Sequence, residues 1–247
     1  MRHSIAGLSR PLRTFLRHKG INVIPTYLSP SLQGFIHRVR REKFKIDVVY
    51  DIGAYKGNWT RAVKKHLGYS PKFFLFEPNS AHNENLEKVG ERYFNELLSK
   101  EIHPTTFYQA GGMGDSIYPQ NNSSTENFIP IEVLSNTLDN IVSLHNLPSP
   151  DLVKIDTQGS ELDILSGGRN TLRDAKLIIL ECPLVQFNRG APDISQYLSA
   201  MQQLGFIPWT TVELHLMLNV FVQIDIAFIN KYFFESYYGD TKHFGFV

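Results

Sequence analysis

Several common protein features are missing from this sequence of 247 residues, and their absence narrows the class of protein. The single cysteine, Cys182, cannot form an intrachain disulfide, which fits a reducing compartment. No apolar run is long enough for a transmembrane helix, and residues 1–30 lack the apolar segment of a signal peptide. The sequence also has no internal repeat. A cytoplasmic protein is therefore expected.

Charge is nearly balanced overall but unevenly distributed along the chain. The formal net charge is +1, from 25 Lys and Arg against 24 Asp and Glu. Residues 1–45 hold 10 basic residues and one acid, a balance of +9, and the remaining 15 basic and 23 acidic residues give −8. This asymmetry predicts a basic helical arm over residues 1–45 and a single domain over residues 46–247. A hydrophobic content of 42% suits one α/β domain with a sizeable core.

The N-terminal segment favours a short amphipathic helix that begins at Ser9-Arg10-Pro11. Its apolar residues fall on one face and its arginines on the other. Two interpretations stay open: a helix packed on the domain with a solvated basic face, or an interfacial helix drawn to anionic lipid. The second would place residues 1–19 in peripheral contact with the inner surface of a membrane.

The stretch over residues 48–60 organises the rest of the sequence: Val-Val-Tyr-Asp-Ile-Gly-Ala-Tyr-Lys-Gly-Asn-Trp-Thr. It predicts a buried strand, a glycine-bearing turn and a helix that Asn58 or Thr60 caps. Gly53 and Gly57 would let the backbone approach a ligand, and the helix N-terminus would offer free N–H groups. A small polar ligand is therefore expected at the carboxyl end of a parallel strand.

The next apolar run, residues 72–76, is followed directly by an acid, Glu77, which narrows the choice of ligand. Glu77 lies 77 − 51 = 26 positions after Asp51, near the offset of about 20 residues at which an acid binds a ribose diol. The turn lacks the G-x-G-x-x-G pattern of pyrophosphate binders and begins with an acid, which repels phosphate and attracts a cation. S-adenosyl-L-methionine, with a ribose and a cationic amino-acid group, fits this pattern, whereas NAD fits poorly.

Five segments carry a resemblance to a known family. They are Asp-Ile-Gly-Ala at 51–54, Phe-Glu-Pro-Asn at 76–79, Leu-Val-Lys-Ile-Asp-Thr-Gln-Gly-Ser-Glu at 152–161, Ile-Ile-Leu-Glu at 178–181 and Gln-Ile-Asp-Ile-Ala-Phe at 223–228. The sequence resembles the class I S-adenosylmethionine-dependent methyltransferases of the FkbM type. The resemblance implies an α/β fold with a Rossmann-like, doubly wound, mostly parallel seven-stranded sheet and a C-terminal antiparallel strand pair. It also implies an O-methyltransferase that acts on a hydroxyl of a sugar, glycan or related metabolite.

The resemblance further implies which residues contact the cofactor. They lie in the first turn, after the second strand, after the third strand and at the end of the fourth strand: Asp51, Gly53, Ala54, Tyr55, Gly57, Asn58, Glu77, Pro78, Asn79, Ala110, Gly111 and Asp156. The family tends to place an acid shortly after the alanine; this sequence has Met113 there, and Asp115 follows.

Catalysis is expected where the fourth and fifth strands end, because Asp156, Glu181 and Lys154 would converge there. Methyl transfer needs aligned reactants and removal of a hydroxyl proton. Asp156 is either a general base, which is the favoured interpretation, or a ligand with Glu181 of Mg²⁺ or Mn²⁺. Alternatively, Asp156 only orders its loop by accepting backbone N–H bonds. Lys154, inside an apolar strand, is expected to pair with Glu181 or Asp156 rather than to steer an anionic acceptor.

Other titratable residues receive structural interpretations. Glu161, in the first turn of a helix, is expected to interact with the helix dipole rather than to catalyse. His145, His215 and His243 show no metal-ligand spacing and are given no role.

The remaining segments predict secondary structure by their local patterns. Residues 80–98 are predicted to form one helix, and residues 103–109 the third strand of the sheet. Residues 206–214 and 220–230 are predicted to form the closing antiparallel pair. The aromatic tail from residue 232 is expected to cover a sheet face or a subunit contact, which leaves a homodimer open.

Three other functions compete with O-methyl transfer. A non-catalytic methyltransferase-fold interaction module would have no physical need for Asp51, Gly53, Glu77 and Asp156 together. A nicotinamide-dependent oxidoreductase is disfavoured by the acid that opens the first turn. The basic arm permits nucleic-acid methylation, but no Asn-Pro-Pro-Tyr segment or aromatic-interleaved basic stripe supports it, so no nucleic-acid partner is expected.

Overall fold

The computed structural model describes residues 14, 18–19, 24–109, 114–119, 128–186 and 188–239. Within these ranges the strands are β1 (Val48–Ile52), β2 (Lys72–Phe76), β3 (Arg92–Phe94), β4 (Pro104–Gln109), β5 (Ile129–Leu134), β6 (Leu152–Ile155), β7 (Leu177–Pro183), β8 (Phe206–Met217) and β9 (Val220–Asn230). The α-helices are α1 (Leu32–Arg41), α2 (Asn58–Leu67), α3 (Asn83–Glu87), α4 (Leu138–Leu144), α5 (Glu161–Gly167), α6 (Arg169–Leu172), α7 (Ile194–Gln203) and α8 (Lys231–Tyr238).

The main sheet has seven strands in the order β3-β2-β1-β6-β7-β9-β8. The first five of these run parallel, whereas β9 is antiparallel to β7 and β8 is antiparallel to β9. β1 and β6 are buried along their whole length, because helices cover both faces of the sheet. This arrangement confirms the predicted fold, including the closing antiparallel pair.

The two faces of the sheet bury separate apolar clusters. Tyr50 and Phe76 pack on one face with residues of α4, α5 and α7. Val49 and Leu75 pack on the other face with residues of α1 and α2. Neighbouring residues of a strand point to opposite faces, so each parallel strand contributes to both clusters. The packing holds the carboxyl ends of β1, β2, β6 and β7 along one edge of the sheet.

The predicted helix over residues 80–98 is wrong. The chain instead makes a 3-10 turn (Ser80–His82) followed by α3, and Gly90, at φ +76°, leads into β3. β3 pairs with β2, and Phe94 stacks on Phe76 with ring centroids 5.2 Å apart. The apolar residues of this segment are buried because β3 pairs with β2. Periodicity within the segment alone does not reveal that pairing.

The strand predicted over residues 103–109 exists as β4, but its predicted place in the main sheet is wrong. β4 pairs antiparallel with β5 in a separate two-stranded sheet. β3 takes the edge position next to β2 instead. β4 and β5 are largely half-buried or exposed, as expected for strands that lie outside the doubly covered sheet.

The start of helix α2 also differs from the prediction. Gly57, at φ +72°, precedes the helix, and no side chain caps it. The prediction that Asn58 or Thr60 caps the helix is wrong, because the Thr60 hydroxyl donates to Asp51 Oδ2 at 2.6 Å. Gly68, at φ +82°, ends the helix as predicted.

Helix α1 packs into the same apolar layer as α2. Its Phe35 is fully buried, and Phe35 contacts the ring of Trp209 edge-on at 6.1 Å between centroids. Arg38 donates to the carbonyl of Thr211 in β8 at 2.7 Å. α1 therefore shares its core with the domain, and a separate arm over residues 1–45 stays a prediction.

Some predicted features lie outside the described residues. These are most of the N-terminal helix around residues 9–17, with its membrane contact, and the cofactor-loop residues Ala110, Gly111 and Met113. Among the helices that are described, none has the length and apolar character needed to cross a membrane.

Candidate active site

A cavity of about 890 Å³ opens where β1, β2, β6 and β7 end. The carboxyl ends of parallel strands are where open α/β sheets bind their ligands. The structure brings these predicted site residues together in its lining: Gly53, Ala54, Tyr55, Asn58, Glu77, Pro78, Lys154, Asp156 and Glu181. The predicted residues Asp51, Gly57 and Asn79 are not part of the lining.

Asp51, the single acidic residue of β1, lies behind the cavity wall and is fully buried. Its Oδ2 accepts the Thr60 hydroxyl, whereas its Oδ1 accepts no hydrogen bond from the described residues and lies 3.8 Å from Lys154 Nζ. Burial raises the pKa of Asp51, and the ammonium of Lys154 and the bond from Thr60 oppose that rise. Asp51 thus ties the first turn to β6 and α2.

The two glycines of the first turn are required by contacts within the protein. A Cβ on Gly53, whose φ is +75°, would lie 1.8 Å from the carbonyl oxygen of Asp156. A Cβ on Gly57 would lie 2.5 Å from Val89 Cγ2. Contact of Gly53 with a ligand stays a prediction, but the loop after β6 already needs a glycine at this position.

Glu77 joins the first turn to the chain that follows β2. Its Oε2 accepts the backbone N–H of Tyr55 at 2.8 Å, and its Oε1 accepts the backbone N–H of Asn79 at 2.9 Å. Burial raises the pKa of Glu77 to about 7, despite these two bonds. The carboxylate is thereby oriented in the cavity wall with further lone pairs to offer.

Asp115 reaches the same end of the cavity from the segment after β4. It lines the cavity, and its Oδ2 accepts a hydrogen bond from Asn79 Nδ2 at 2.7 Å. Asn79 in turn accepts the backbone N–H of Ala81 through its side chain at 3.0 Å. Although Asp115 lies later in the sequence than the family pattern leads one to expect, it comes next to Glu77.

Lys154 and Asp156 form an ion pair in the cavity wall, with Nζ 2.9 Å from Oδ2. This confirms the prediction that Lys154 pairs with a carboxylate. Burial alone would lower the pKa of Lys154, but Asp156 and Asp51 outweigh burial and raise it. Burial alone would raise the pKa of Asp156, but Lys154 outweighs it, so the net pKa is lowered. Asp156 is therefore a charged, weakly basic carboxylate.

Glu181, at the end of β7, has the opposite protonation preference. Burial raises its pKa well above the ordinary value, and repulsion from Asp156 raises it further. Gln158, at φ +58°, donates from Nε2 to Glu181 Oε2 at 2.7 Å and to Asp156 Oδ1 at 3.3 Å. One amide therefore holds Asp156, whose pKa is lowered, and Glu181, whose pKa is raised, side by side.

The sequence around this cavity matches a known protein family. Residues 51–208 match the family described as the methyltransferase FkbM domain, which is well over half of the chain. The chain belongs to this FkbM family. The match begins at Asp51, the acid of the first turn, and includes the loops that carry Glu77, Lys154, Asp156 and Glu181.

Two curated relatives match this chain over part of their length. The 2-O-methyltransferase NoeI of Sinorhizobium fredii (strain NBRC 101917 / NGR234) is 30% identical over 154 residues, which cover 54% of this chain and 62% of that protein. The hexuronic acid methyltransferase AglP of Haloferax volcanii is 26% identical over 157 residues, which cover 60% and 61%. The chain thus spans about three fifths of the length of these relatives.

Among solved structures, the methyltransferase FkbM from Methylobacillus flagellatus KT aligns with 73% of this chain and 43% of that chain. The alignment has 12% sequence identity and a TM-score of 0.47.

Glu161 has a structural role in the FkbM domain. Its carboxylate is buried and accepts the backbone N–H groups of Thr157 at 2.8 Å and Gly159 at 3.0 Å. The Tyr197 hydroxyl of α7 also donates to it, at 2.5 Å. Glu161 therefore organises the loop after β6, in addition to lying in the first turn of α5.

The sequence assigns no role to His215, yet His215 and Asp225 both line the cavity. His215 Nε2 lies 3.0 Å from Asp225 Oδ1, and this bond raises the pKa of His215 above its ordinary value. Asp225 sits opposite Glu181 in the β7–β9 register. The predicted antiparallel strand pair was the feature of the sequence that could have placed these two residues on neighbouring strands. In the structure, a turn at Leu218 and Asn219, both at positive φ, joins β8 to β9.

Metal binding by Asp156 and Glu181 is not supported by their contacts. Asp156 is paired with Lys154, and Glu181 accepts a hydrogen bond from Gln158. Two other sets of described residues bring three potential ligand atoms within 4.8 Å: Glu181, His215 and Asp225, and Glu77, His82 and Asp115. Hydrogen bonds hold His215 on Asp225, and hold Asn79 on Glu77 and Asp115, whereas the buried Nε2 of His82 has no hydrogen-bond partner among the described residues.

Proposed function

We propose that this chain is an S-adenosylmethionine-dependent O-methyltransferase that acts on a hydroxyl of a sugar, glycan or related metabolite. The observation that carries the proposal is one cavity of about 890 Å³ that is bordered by Glu77 on β2 and by Asp156 and Glu181 on β6 and β7. Its size is within the range of small-molecule sites in proteins, about 300 to 1,000 Å³. Membership of the FkbM family supports the same function.

The residues present fit S-adenosyl-L-methionine. Glu77 is held by two backbone N–H groups and offers carboxylate lone pairs suited to ribose hydroxyls. The turn at Gly53 and Ala54 borders the cavity beside the start of α2. The nearby carboxylate of Asp156 would attract a cationic amino group. When bound, this cofactor supplies a methyl group on a sulfonium.

The acceptor would lie towards β7, β8 and β9. Gln158, Glu181, His215 and Gln223 line this part of the cavity and offer both donors and acceptors, as a polyhydroxylated molecule requires. These side chains would hold a hydroxyl in line with the methyl group, since positioning supplies much of the rate of such a displacement. A sugar or glycan hydroxyl suits this lining better than an apolar acceptor.

Calorimetry on the purified protein tests the cofactor assignment directly. Titrations with S-adenosyl-L-methionine and with NAD, each with and without EDTA, should show binding of the first alone. Deoxyhexoses would then be screened as acceptors by mass spectrometry of the methylated product. Binding of neither cofactor would contradict the proposal and favour the non-catalytic interaction module.

A further inference from the structure

His215 on β8 and Asp225 on β9 form a hydrogen-bonded pair in the cavity wall. Asp225 is only 8% exposed, and its Oδ1 lies 3.0 Å from His215 Nε2. Because a carboxylate only accepts hydrogen bonds, Nε2 carries the proton of the neutral ring and Nδ1 keeps its lone pair. In the part of the chain that is described, no protein group donates to Nδ1. His215 thus has one basic nitrogen that is unused by the described residues, and this residue lines the cavity.

The carboxyl groups in the same wall are poor proton acceptors. Asp156 is committed to the ion pair with Lys154, which makes it weakly basic. Glu181 favours the protonated form and receives a hydrogen bond from Gln158 on Oε2. Neutral imidazole is the group whose basicity suits removal of a proton near neutral pH.

We propose that His215 is the general base that takes the proton of the acceptor hydroxyl, and that Asp225 is the positioning residue that fixes its ring and tautomer. The inference rests on the proposed O-methyl transfer. The acceptor oxygen forms a bond to the methyl carbon and loses its proton to His215 Nδ1. The electron pair of the broken carbon–sulfur bond stays on the sulfur, which becomes neutral, and His215 later releases the proton to water. Asp225 stabilises the imidazolium between these events.

The charges that face His215 make it a stronger base than an isolated imidazole. The hydrogen bond to Asp225 is the largest influence and raises the pKa of His215; burial opposes it. The charged and titratable groups around the pair come from four strands: Glu213 on β8, Asp225 on β9, Lys154 and Asp156 at β6, and Glu181 on β7. The rate of methyl transfer should therefore decrease at low pH, and this low-pH limb of the rate profile should report the pKa of His215.

The activity test compares His215→Gln and Asp225→Asn with the control His37→Gln, which changes an exposed histidine on α1. Formation of S-adenosylhomocysteine would be followed from about pH 5.5 to about 9, with L-rhamnose and L-fucose as acceptors. His215→Gln should lower kcat by at least about 100-fold and remove the low-pH limb. Asp225→Asn should shift the limb to lower pH, because the charge that raises the pKa is gone. All three variants should keep the calorimetric affinity for S-adenosyl-L-methionine.

A second readout is independent of activity. Nitrogen-15 NMR of the imidazoles in the wild-type chain should show His215 protonated on Nε2 in its neutral form. Its titration midpoint should lie above the ordinary value of about 6.5 and fall in Asp225→Asn.

Several outcomes would overturn the inference. One is normal turnover with an intact low-pH limb in His215→Gln; another is a neutral ring protonated on Nδ1. If EDTA abolished methyl transfer and Mn²⁺ restored it, a metal ion bound by Glu181, His215 and Asp225 would take the place of the proposed base. Failure of the wild-type chain to bind the cofactor or to methylate either sugar would instead count against the proposed function.

Discussion

Lys154 Nζ lies 2.9 Å from Asp156 Oδ2, within a strand whose other residues are apolar. The ammonium is also 3.8 Å from Asp51 Oδ1, so one buried cation connects the acid of the first turn with the acid that follows β6. Two carboxylates share one ammonium, and a proton acceptor with a pKa held low is ill suited to deprotonating a sugar hydroxyl. The pair instead fixes the geometry of the cavity wall.

Asp156→Asn should keep cofactor binding but lower methyl transfer by at least about tenfold, because the loop that aligns the reactants loses its ion pair. The low-pH limb of the rate profile should persist, since His215 rather than Asp156 takes the proton. Rates measured across pH with saturating cofactor check this expectation. A fall of at least about 100-fold together with loss of the limb would restore Asp156 as the base.

Asp51→Ala should abolish detectable binding of S-adenosyl-L-methionine in calorimetry. The change leaves Lys154 with one carboxylate fewer and removes the acceptor of the Thr60 hydroxyl. The control Thr60→Val removes that hydrogen bond but retains the acid, so it should bind the cofactor. Unchanged affinity in Asp51→Ala would contradict the placement of the cofactor at the first turn.

Affinity for S-adenosyl-L-methionine should weaken below pH 7 because of Glu77. Its pKa is raised from 4.5 to about 7 by burial, and the ionised form accepts ribose hydroxyls better than the protonated form. One pH unit below this value, affinity should fall about tenfold. Calorimetry at several pH values checks this, and Glu77→Gln should bind more weakly with little pH dependence. A pH-independent wild-type affinity would rule out Glu77 as the ribose ligand.

The same pKa shift affects stability with a definite sign. The folded-state pKa of Glu77 lies above the unfolded value, so its contribution to stability is fully present below about pH 4.5 and is lost as pH rises through about 7. Cofactor that binds the ionised form should restore stability above that range.

Tyr197→Phe should lower the free energy of unfolding by about 1 to 3 kcal/mol, because it removes a donor to the buried carboxylate of Glu161. Tyr232→Phe is the matched control, since this tyrosine is 79% exposed, and it should change stability little. Urea denaturation measures both. Equal stability of the two variants would mean that the Glu161 carboxylate does not depend on the α7 contact.

Gly53→Ala should destabilise the domain far more than Gly90→Ala. Both glycines have φ near +75°, so both substitutions carry the same backbone strain of about 1 kcal/mol or more. At Gly53 the new Cβ would lie 1.8 Å from the carbonyl oxygen of Asp156, whereas at Gly90 no atom of the described residues lies within 4 Å of it. Thermal denaturation of the two variants isolates the clash. Equal losses of stability in the two variants would show that the loop after β6 moves to relieve the clash without lowering the free energy of unfolding.

The prediction of the fold from sequence succeeded where the pattern was local. β1, β2, β6 and β7 are short apolar runs, and the hairpin of β8 and β9 brackets a two-residue turn. The prediction failed over residues 80–98, because Phe94 is inward-facing in a strand as well as in a helix. Only its pairing beside Phe76 decides between them.

The same distinction between local patterns and tertiary contacts applies to the candidate site. The positions of Asp51, Gly53 and Glu77 were readable from the sequence, because a strand, a tight turn and the next parallel strand set their separation through backbone geometry. The helix cap was mispredicted, since a buried acceptor from β1 competes for the Thr60 hydroxyl.

The sequence by itself determined the α/β class, the acid-bearing first turn and the strand ends that carry Glu77, Asp156 and Glu181. Only the tertiary structure decided in which direction the pKa of Asp156 and that of Glu181 are shifted, because the shift depends on how Lys154 and burial act on each carboxyl group. It also brought His215 to Asp225, a diagonal contact in a hairpin whose register shifts at several positions. Protonation and diagonal contacts follow from the packing of several strands around one cavity, and no local pattern in the sequence encodes that packing.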